Sequence, residues 1–347
     1  MPIEKIYLEL TNRCNLNCIM CYRNSWNFTT EDMEKEVLQK CINEIKEMPS
    51  IKEVILGGIG EPTFFSEVQS VMRALKDKHI TLTTNGTIMY PSMLETIVEC
   101  IDHVVLSIDG VDDVFHSIRR YPLDKIMENI NQMNRLKKLK GSRTPMLSIQ
   151  MVLSKANWDQ IYGVVDIARE LEASKVILSN VLPTDLKDRE SILYKLYDNN
   201  LEGKELFKGV QNYALRKGME IKLPAYRLKT ERRCRFIDDN TCVVTTSGEV
   251  APCYRLSHDG TEVVFGRLKE IKAHSFGNIR NSSLIHIWES QHYVNYRNMV
   301  YNNHYPSCPD CDLVEGCDMA RSSSYDCYGN SPSCSDCLWS RNIVYCI

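Results

Sequence analysis

The sequence lacks three features that would place the protein in a membrane, outside the cell or on nucleic acid. Nowhere do the 347 residues contain a run of about 18 apolar residues, the length that a membrane helix needs. The first ten residues, MPIEKIYLEL, lack the charged and apolar regions of a secretory signal. Positive charge is not in excess, since 42 Lys and Arg stand against 45 Asp and Glu and leave a net charge of −3. We therefore expect a cytoplasmic protein whose partners include no membrane and no nucleic acid.

Cysteine, in contrast, is abundant and unevenly distributed. Of the 15 cysteines, five fall in residues 1–233 and ten in residues 234–347. In a reducing compartment thiols bind metals more often than they form disulfides. The chain has the length of about two domains. The shift in composition predicts a boundary near residues 225–233, with domains at 1–225 and 226–347.

The first two thirds of the sequence alternate between short apolar runs and amphipathic segments. The runs are rich in β-branched residues, as buried parallel strands are. They lie at Ile6–Leu10, Val54–Leu56, Thr81–Thr84, Val104–Ile108, Met146–Leu153 and Val176–Leu178. The amphipathic segments predict helices at 31–46, 66–77, 91–100, 123–138, 158–172, 187–197 and 201–217. Since such alternation is typical of βαβ units, we expect an α/β fold: a partial (β/α)6 barrel of the TIM type, followed by a small, loop-rich domain that contains a β-hairpin.

Three cysteines follow the first predicted strand at a spacing typical of an iron–sulfur site. In the run Cys14-x3-Cys18-x2-Cys21, three thiolates can hold three irons of a 4Fe–4S cluster. No fourth cysteine lies near in the sequence, so one iron is expected to stay open to a ligand. The alternatives are a zinc site, which usually takes four protein ligands, or three unrelated thiols.

The segment around these cysteines, TNRCNLNCIMCYR, resembles the cluster loop of the radical S-adenosylmethionine (SAM) enzymes. In that family the open iron binds the methionine part of SAM. The segment GGIGEP at 57–62 is similar to a loop in which the backbone and Glu61 receive the methionine ammonium group. For the methionine carboxylate the resemblance implies Arg119, with Arg120 competing for the same role. With the catalytic, metal-binding Cys14, Cys18 and Cys21, the implied SAM-binding residues are Gly58, Gly60, Glu61, Asn85, Ser107, Asp109, Arg119, Gln150 and Asn180.

Several of these residues share one feature of position. In (β/α) barrels the active site forms at the carboxyl ends of the strands. The residues that lie at or just past such ends are Cys14, Glu61, Asn85, Ser107, Asp109 and Asn180. We therefore expect them to meet at one mouth of the barrel. Taken singly, each motif has another interpretation, since GGIGEP could form only a turn and Asp109-Gly110 only a strand-ending loop.

The last third of the sequence carries a second resemblance. Two cysteine patterns are similar to those of the SPASM domain, a module that carries one or two auxiliary iron–sulfur clusters in radical SAM enzymes. They read Cys234-x13-Gly248-x4-Cys253 and Cys308-x2-Cys311-x5-Cys317. Gly248 is expected to turn a hairpin between 242–246 and 249–253.

The SPASM resemblance implies two auxiliary 4Fe–4S clusters, each with four thiolate ligands. The family pattern continues with a cysteine at the position that Arg321 occupies here, and the next thiol is Cys327. The nearer cluster is expected on Cys234, Cys242, Cys253 and Cys327. The farther cluster is expected on Cys308, Cys311, Cys317 and one tail cysteine, with Cys337 preferred over Cys334 and Cys346. A pair of structural zinc sites is the alternative.

The tail, from Ser333 to Cys346, resembles that of the radical SAM maturases associated with tungsten-cofactor aldehyde oxidoreductases. Together the resemblances imply a maturase that cleaves SAM reductively to a 5′-deoxyadenosyl radical and abstracts hydrogen from a protein, peptide or cofactor-precursor substrate. Thioether or carbon–carbon crosslinking of a ribosomal peptide is one alternative, and a non-catalytic iron–sulfur redox carrier is another. The expected cofactors are SAM and 4Fe–4S clusters, and the expected electron donor is a ferredoxin or flavodoxin.

Overall fold

The computed structural model describes residues 1–196 and 200–345, and it has an α/β fold. Nine strands form one sheet and two more form a separate hairpin. In chain order the strands are β1 Lys5–Leu8, β2 Glu53–Leu56, β3 His79–Thr84, β4 His103–Ser107, β5 Met146–Leu153, β6 Lys175–Asn180, β7 Glu220–Lys222, β8 Thr241–Val244, β9 Val250–Ala251, β10 Gly260–Val264 and β11 Arg267–Ile271. Each of the six predicted strands is therefore present.

The order of the strands in the sheet is that of a partial barrel. Neighbouring strands follow the order β7-β6-β5-β4-β3-β2-β1-β8-β9. Every pair from β7 to β8 is parallel, and only β9 pairs antiparallel with its neighbour. Because parallel strands point the same way, their carboxyl ends meet at one edge of the sheet. The predicted fold class is confirmed, and the loops at this edge are the ones that carry the motifs.

Helices connect the strands and bury one face each. They are α1 Lys35–Glu47, α2 Val68–Ala74, α3 Pro91–Cys100, α4 Asp112–Arg119, α5 Leu123–Lys140, α6 Ile161–Glu170, α7 Leu201–Arg216, α8 Arg235–Asp238, α9 Leu284–Glu289 and α10 Gln291–Tyr301. The helix predicted over 187–197 is wrong in its described part, where Leu186–Ser191 form a 3₁₀ helix that buries no side chain. Past this turn Tyr194 is buried and Lys195 forms a β-bridge with Arg227, so the chain there pairs with another segment instead of continuing as a helix. Residue 197 lies outside the described residues.

The sheet continues past the predicted domain boundary. Strand β8 pairs in parallel with β1, so that Cys242 lies opposite Ile6. The predicted hairpin joins β8 to β9, and Gly248 adopts a φ of +84° in its turn, a conformation that favours glycine. Buried side chains from both parts of the chain, including Trp288 and Tyr293, share one core with the barrel. Among the described residues, none of the helices combines the length and apolar character that crossing a membrane requires.

Candidate active site

A cavity of about 300 Å³ lies at the carboxyl edge of the sheet. Three thiols line it, those of Cys14, Cys18 and Cys21. Eight of the nine residues implied as SAM contacts line it as well: Gly58, Gly60, Glu61, Asn85, Ser107, Arg119, Gln150 and Asn180. The structure thus brings together motifs that lie far apart in the sequence, as the strand-end argument predicts.

The cysteine loop is held in place by backbone contacts with two other loops. The amide of Glu61 donates to the carbonyl oxygen of Arg13 across 2.8 Å, and the amide of Ile19 donates to that of Ile118 across 3.0 Å. A Cβ atom at position 60 would collide with the carbonyl oxygen of Thr11. Glycine at position 60 therefore allows the GGIGEP loop to pack directly on the cysteine loop.

The three thiols are near enough to influence one another. The pKa of the Cys18 thiol is raised to about 11, chiefly by burial and in part by the neighbouring Cys21 and Cys14, while the positive charge of Arg119 opposes the shift. Burial also raises the pKa of Cys14 and of Cys21. Within the described chain, no three His, Cys, Asp or Glu side chains form a group that would hold a single metal ion. A 4Fe–4S cluster takes each thiolate on a different iron, so its ligands need not converge on one point.

The side chain of Glu61 makes its hydrogen bonds to other residues of the protein. Its carboxylate is buried and accepts hydrogen bonds from the amide and hydroxyl of Thr63, at 3.1 and 2.6 Å, from the hydroxyl of Thr84 at 2.7 Å and from the amide of Asn85 at 2.7 Å. Burial raises the pKa of this carboxyl group. The carboxylate therefore joins the GGIGEP loop to the end of β3, a role that the sequence did not predict.

Asn85 is also engaged by neighbouring side chains. Its Nδ2 donates to Oδ1 of Asn15 at 3.0 Å and lies 3.9 Å from Sγ of Cys14. Its Oδ1 accepts hydrogen bonds from the amide and the hydroxyl of Thr87, at 3.0 and 2.6 Å. Asn85 thus contacts Cys14 in addition to lining the cavity.

Arg119 faces the cavity and is held there by Asp109. The Nε and Nη2 atoms of Arg119 each lie 2.6 Å from Oδ2 of Asp109. The other carboxylate oxygen of Asp109 accepts a hydrogen bond from the amide of Val152 at 2.6 Å. Asp109 is fully buried and does not line the cavity, so it positions the guanidinium instead of meeting a ligand. The neighbouring Arg120 is exposed, which leaves Arg119 as the cation of the cavity.

Three further polar side chains line the cavity along β4, β5 and β6. Ser107 and Gln150 are register partners on neighbouring strands. Asn180 ends β6, and its Nδ2 donates to the carbonyl oxygens of Ala225 at 2.9 Å and Ile343 at 3.0 Å. Its Oδ1 is buried and has no hydrogen-bond partner among the described residues. A buried oxygen of this kind is an acceptor for a donor that a ligand would bring.

Sequence reasoning missed Glu9, which directly follows β1 and supports the site. Its Oε2 accepts a hydrogen bond from the amide of Ile59 at 3.2 Å, and its Oε1 lies 2.9 Å from Nε2 of His258. The amide of Thr246 also points at this carboxylate, at 3.5 Å. A carboxylate within the apolar run Ile6–Leu10 is the signal that could have identified it, because buried charges require partners.

Four thiols of the C-terminal region form a second group next to the cavity. They are those of Cys234, Cys253, Cys334 and Cys337. Burial raises the pKa of Cys234 and of Cys253 well above the usual range, and the other thiols of the group add to both shifts. Burial likewise raises the pKa of Cys334 to about 12, with Cys337 contributing.

Two aromatic residues connect this group to the cavity. Tyr254 directly follows Cys253, lines the cavity and donates a hydrogen bond to the carbonyl oxygen of Gly58 at 3.2 Å. Trp339 lies two residues after Cys337 and lines the same cavity. The chain segments that carry Cys253 and Cys337 therefore border the cavity.

This group differs from the predicted nearer ligand set at two positions. Cys242 is fully buried on β8, where burial raises the pKa of its thiol to about 12. The titratable groups that act on this thiol are Arg297 of α10 and Cys41 of α1, and not the four grouped thiols. The physical reason is the strand pairing, which places Cys242 in the core beside β1. The structure therefore groups Cys334 and Cys337, in place of the expected Cys242 and Cys327, with Cys234 and Cys253.

The remaining predicted ligands lie farther along the chain. The amide of Cys308 donates to the carbonyl oxygen of Ser335 at 3.1 Å, so this thiol lies near the second group. Cys311 and Cys327 are exposed, and Cys317 is partly exposed. Cys346 lies outside the described residues.

Comparison with known proteins agrees with this arrangement. Residues 8–166 match the Radical SAM superfamily, and residues 234–312 match SPASM, an iron–sulfur cluster-binding domain. The chain is 35% identical over 357 residues to the tungsten-containing aldehyde ferredoxin oxidoreductase cofactor-modifying protein of Pyrococcus furiosus, with 99% of this chain and 97% of that protein covered. A probable GTP 3′,8-cyclase of Pyrococcus abyssi is 25% identical over 193 residues, which are 54% of this chain and 60% of the relative.

The fold has relatives of known structure. SuiB of Streptococcus suis, solved with S-adenosylmethionine bound, aligns with a TM-score of 0.63 at 17% identity, over 91% of this chain and 72% of that chain. With the family comes its chemistry: the protein is an enzyme that uses SAM and 4Fe–4S clusters. The chain belongs to the radical SAM superfamily and carries a C-terminal SPASM domain.

Proposed function

We propose that Cys14, Cys18 and Cys21 hold the 4Fe–4S cluster that binds SAM, and that the rest of the cavity binds the remainder of SAM. The observation that carries this proposal is that the three thiols and eight of the nine implied contact residues line one cavity. When bound, the cluster supplies one electron to SAM, so that the C5′–S bond breaks into methionine and a 5′-deoxyadenosyl radical.

The side chains of the cavity orient SAM. The Arg119 guanidinium, fixed by Asp109, is the partner for the methionine carboxylate, because a planar cation pairs well with a carboxylate. Ser107 and Gln150 offer polar groups to the ribose. The unpaired Oδ1 of Asn180 accepts a hydrogen bond from an O–H or N–H group of the adenosine. Glu61 and Asn85 act through position, since they hold the two loops that meet at the cluster.

The last described residues cover the cavity and exclude water. Val344 and Tyr345 line its wall. The amide of Tyr345 donates to the hydroxyl of Ser179 at 3.0 Å, and its own hydroxyl donates to the carbonyl oxygen of Leu223 at 2.9 Å. A dry, closed site directs a reactive radical to the substrate instead of the solvent.

The C-terminal part, residues 226–347, serves electron transfer in this proposal, and residues 1–225 bind SAM. Cys234, Cys253, Cys334 and Cys337 hold the nearer auxiliary cluster. The farther cluster takes Cys308, Cys311 and Cys317, with Cys327 as its fourth ligand. With four thiolates no iron of the nearer cluster stays open to a substrate, which favours electron transfer there.

For the substrate, we propose the tungsten-containing cofactor of an aldehyde ferredoxin oxidoreductase, or a precursor of that cofactor. The support is the name of the Pyrococcus furiosus relative and the extent of the match, which covers 99% of this chain. A ferredoxin or flavodoxin supplies the electrons. The 14 described cysteines are free thiols, which suits the reducing cytoplasm.

The test measures 5′-deoxyadenosine that depends on the substrate. Anaerobically reconstituted and reduced protein is incubated with SAM and either a tungsten aldehyde oxidoreductase, its released cofactor, GTP or a panel of peptides. We expect 5′-deoxyadenosine to rise above the level formed without substrate when the oxidoreductase or its released cofactor is added, and not when GTP or a peptide is added. The Cys18→Ala variant is the matched blank. Stimulation by GTP or by a peptide, and not by the tungsten enzyme or cofactor, would overturn the proposed substrate.

A further inference from the structure

A buried network of charged side chains begins next to the SAM-binding cysteines. The Tyr22 hydroxyl donates a hydrogen bond to Oε2 of Glu262 at 3.1 Å, and Tyr22 directly follows Cys21. Nε of Arg255 lies 3.0 Å from each carboxylate oxygen of Glu262. Glu262 and Arg255 are 1% and 2% exposed. Such a pair is stable in the interior only when further polar partners surround it.

The network ends next to the auxiliary thiols. Asp336 directly precedes Cys337 and is fully buried. Its Oδ1 lies 2.8 Å from Nζ of Lys269 and 3.9 Å from Nη2 of Arg255, and its Oδ2 lies 3.1 Å from Nη2 of Arg267. Three cations thus meet two carboxylates in this part of the described chain.

Arg255 lies beside the nearer group of thiols by two independent connections. It follows Cys253 by two residues, within the 3₁₀ helix Tyr254–Leu256. Through Asp336 it also reaches the segment of Cys337. Burial raises the pKa of Cys253 and of Cys334, and the positive charge of Arg255 opposes both shifts.

One nitrogen of the Arg255 guanidinium, Nη1, is buried and has no hydrogen-bond partner among the described residues. Unpaired buried donors are rare because each has given up its hydrogen bonds to water. A sulfur atom of a cluster held by the four thiols is an acceptor that would satisfy this N–H group.

We propose that Arg255 is a positioning residue that sets the reduction potential of the nearer auxiliary cluster and keeps that potential high. The inference rests on the proposed ligand set of Cys234, Cys253, Cys334 and Cys337. One-electron reduction adds one negative charge to the cluster. A buried cation and an N–H donor stabilise the reduced form more than the oxidised form, since hydrogen bonds and charge near the sulfurs tune the potential of such clusters. Glu262, the counter-ion of Arg255, has the opposite effect.

The test is a redox titration followed by electron paramagnetic resonance. It uses full-length protein in which Cys14, Cys18 and Cys21 are all replaced by Ala, so that only auxiliary signals remain. Loss of a signal in an added Cys334→Ala variant identifies the nearer cluster. For Arg255→Met we expect the equilibrium constant of reduction to fall at least tenfold, which is about 59 mV toward lower potential for one electron. For Glu262→Gln we expect a shift toward higher potential.

A matched control separates this effect from general damage. Arg297 is also buried and hydrogen-bonded, but it stacks on Trp288 and acts on Cys242 instead of the four thiols. We expect Arg297→Met to leave the potential unchanged. If Arg255→Met fails to fold because Glu262 is left unpaired, Glu262→Gln and the double variant Arg255→Met/Glu262→Gln decide the matter.

Opposite shifts for the two single variants support the proposal, and so does a rise with Glu262→Gln that the double variant cancels. Unmoved potentials, or shifts of the same sign in both variants, overturn it while leaving the ligand set intact. If the Cys334→Ala variant keeps every auxiliary signal, the ligand set itself is wrong and the inference falls with it.

Discussion

The hydroxyl of Tyr254 donates a hydrogen bond to the carbonyl oxygen of Gly58 across 3.2 Å. Gly58 belongs to the loop that we propose to bind the methionine of SAM, and Tyr254 directly follows Cys253, which we propose as a ligand of the nearer auxiliary cluster. This hydrogen bond connects the two loops. It makes the geometry of the GGIGEP loop depend on the loop that carries Cys253.

This contact predicts the behaviour of a Tyr254→Phe variant. A neutral hydrogen bond contributes about 0.5–1.5 kcal/mol, so we expect SAM to bind roughly 2- to 12-fold more weakly. Iron content should stay unchanged, because no thiol is altered. Equilibrium dialysis with labelled SAM measures the affinity, and Tyr301→Phe, an exposed tyrosine on α10, is the control. An unchanged affinity in Tyr254→Phe would remove the proposed dependence.

The two neighbouring arginines give a sharper comparison. Arg119 lines the cavity and is fixed by Asp109, whereas Arg120 is exposed. We expect Arg119→Lys to weaken SAM binding by roughly 1.5–3 kcal/mol, since a lysine cannot bind Asp109 and a carboxylate with the same fork. Arg120→Lys should bind SAM as the wild type does. Equal effects at the two positions would contradict the assignment.

The auxiliary thiols predict a pattern of iron contents. In the variant without Cys14, Cys18 and Cys21, two auxiliary clusters amount to about eight irons per chain. Adding Cys334→Ala or Cys337→Ala should lower this to about four, because a cluster loses one of its four ligands. Adding Cys242→Ala should leave about eight, since that thiol lies in the core. A loss of about four irons with Cys242→Ala, and none with Cys334→Ala, would favour the ligand set expected from the sequence.

The hydrogen bonds of Asn180 allow a prediction about the segment that covers the cavity, Ile343–Tyr345. Its Nδ2 bonds to Ala225 and Ile343 hold the last described residues against β6. We expect Asn180→Ala to speed hydrogen exchange at the amide of Tyr345, which lies in this cover. The control is Asn134→Ala, because Asn134 makes a similar bond to the carbonyl oxygen of Leu171 away from the tail. Equal exchange in wild type and Asn180→Ala would show that the cover is held by other contacts.

The sequence predicted what local patterns determine. Alternating runs indicated the parallel strands, and the strand-end argument brought Cys14, Ser107 and Asn180 to one edge because the direction of parallel strands fixes where their ends lie. The choice between Arg119 and Arg120 needed the structure, since α4 ends at this point, with Arg119 buried and Arg120 exposed.

Long-range contacts explain what the sequence did not predict. Cys334 and Cys337 lie far from Cys253 in the sequence and approach it only in the folded chain, and spacing along the sequence carries no information about such an approach. Cys242 fits the motif but belongs to a strand that the core buries. Asp109 and Glu9 do not line the cavity but hold residues that do. The pattern of strand ends cannot distinguish such a positioning residue from one that contacts a ligand.

The central claim is that the thiols of this cavity support reductive cleavage of SAM. The most direct measurement is the formation of 5′-deoxyadenosine by reconstituted protein reduced with dithionite. We expect product from the wild type and from Cys41→Ala, whose thiol lies in the core. We expect none from Cys18→Ala, because two thiolates do not hold the open-iron cluster. Continued product formation by Cys18→Ala, or none from the wild type with its iron intact, would contradict the account.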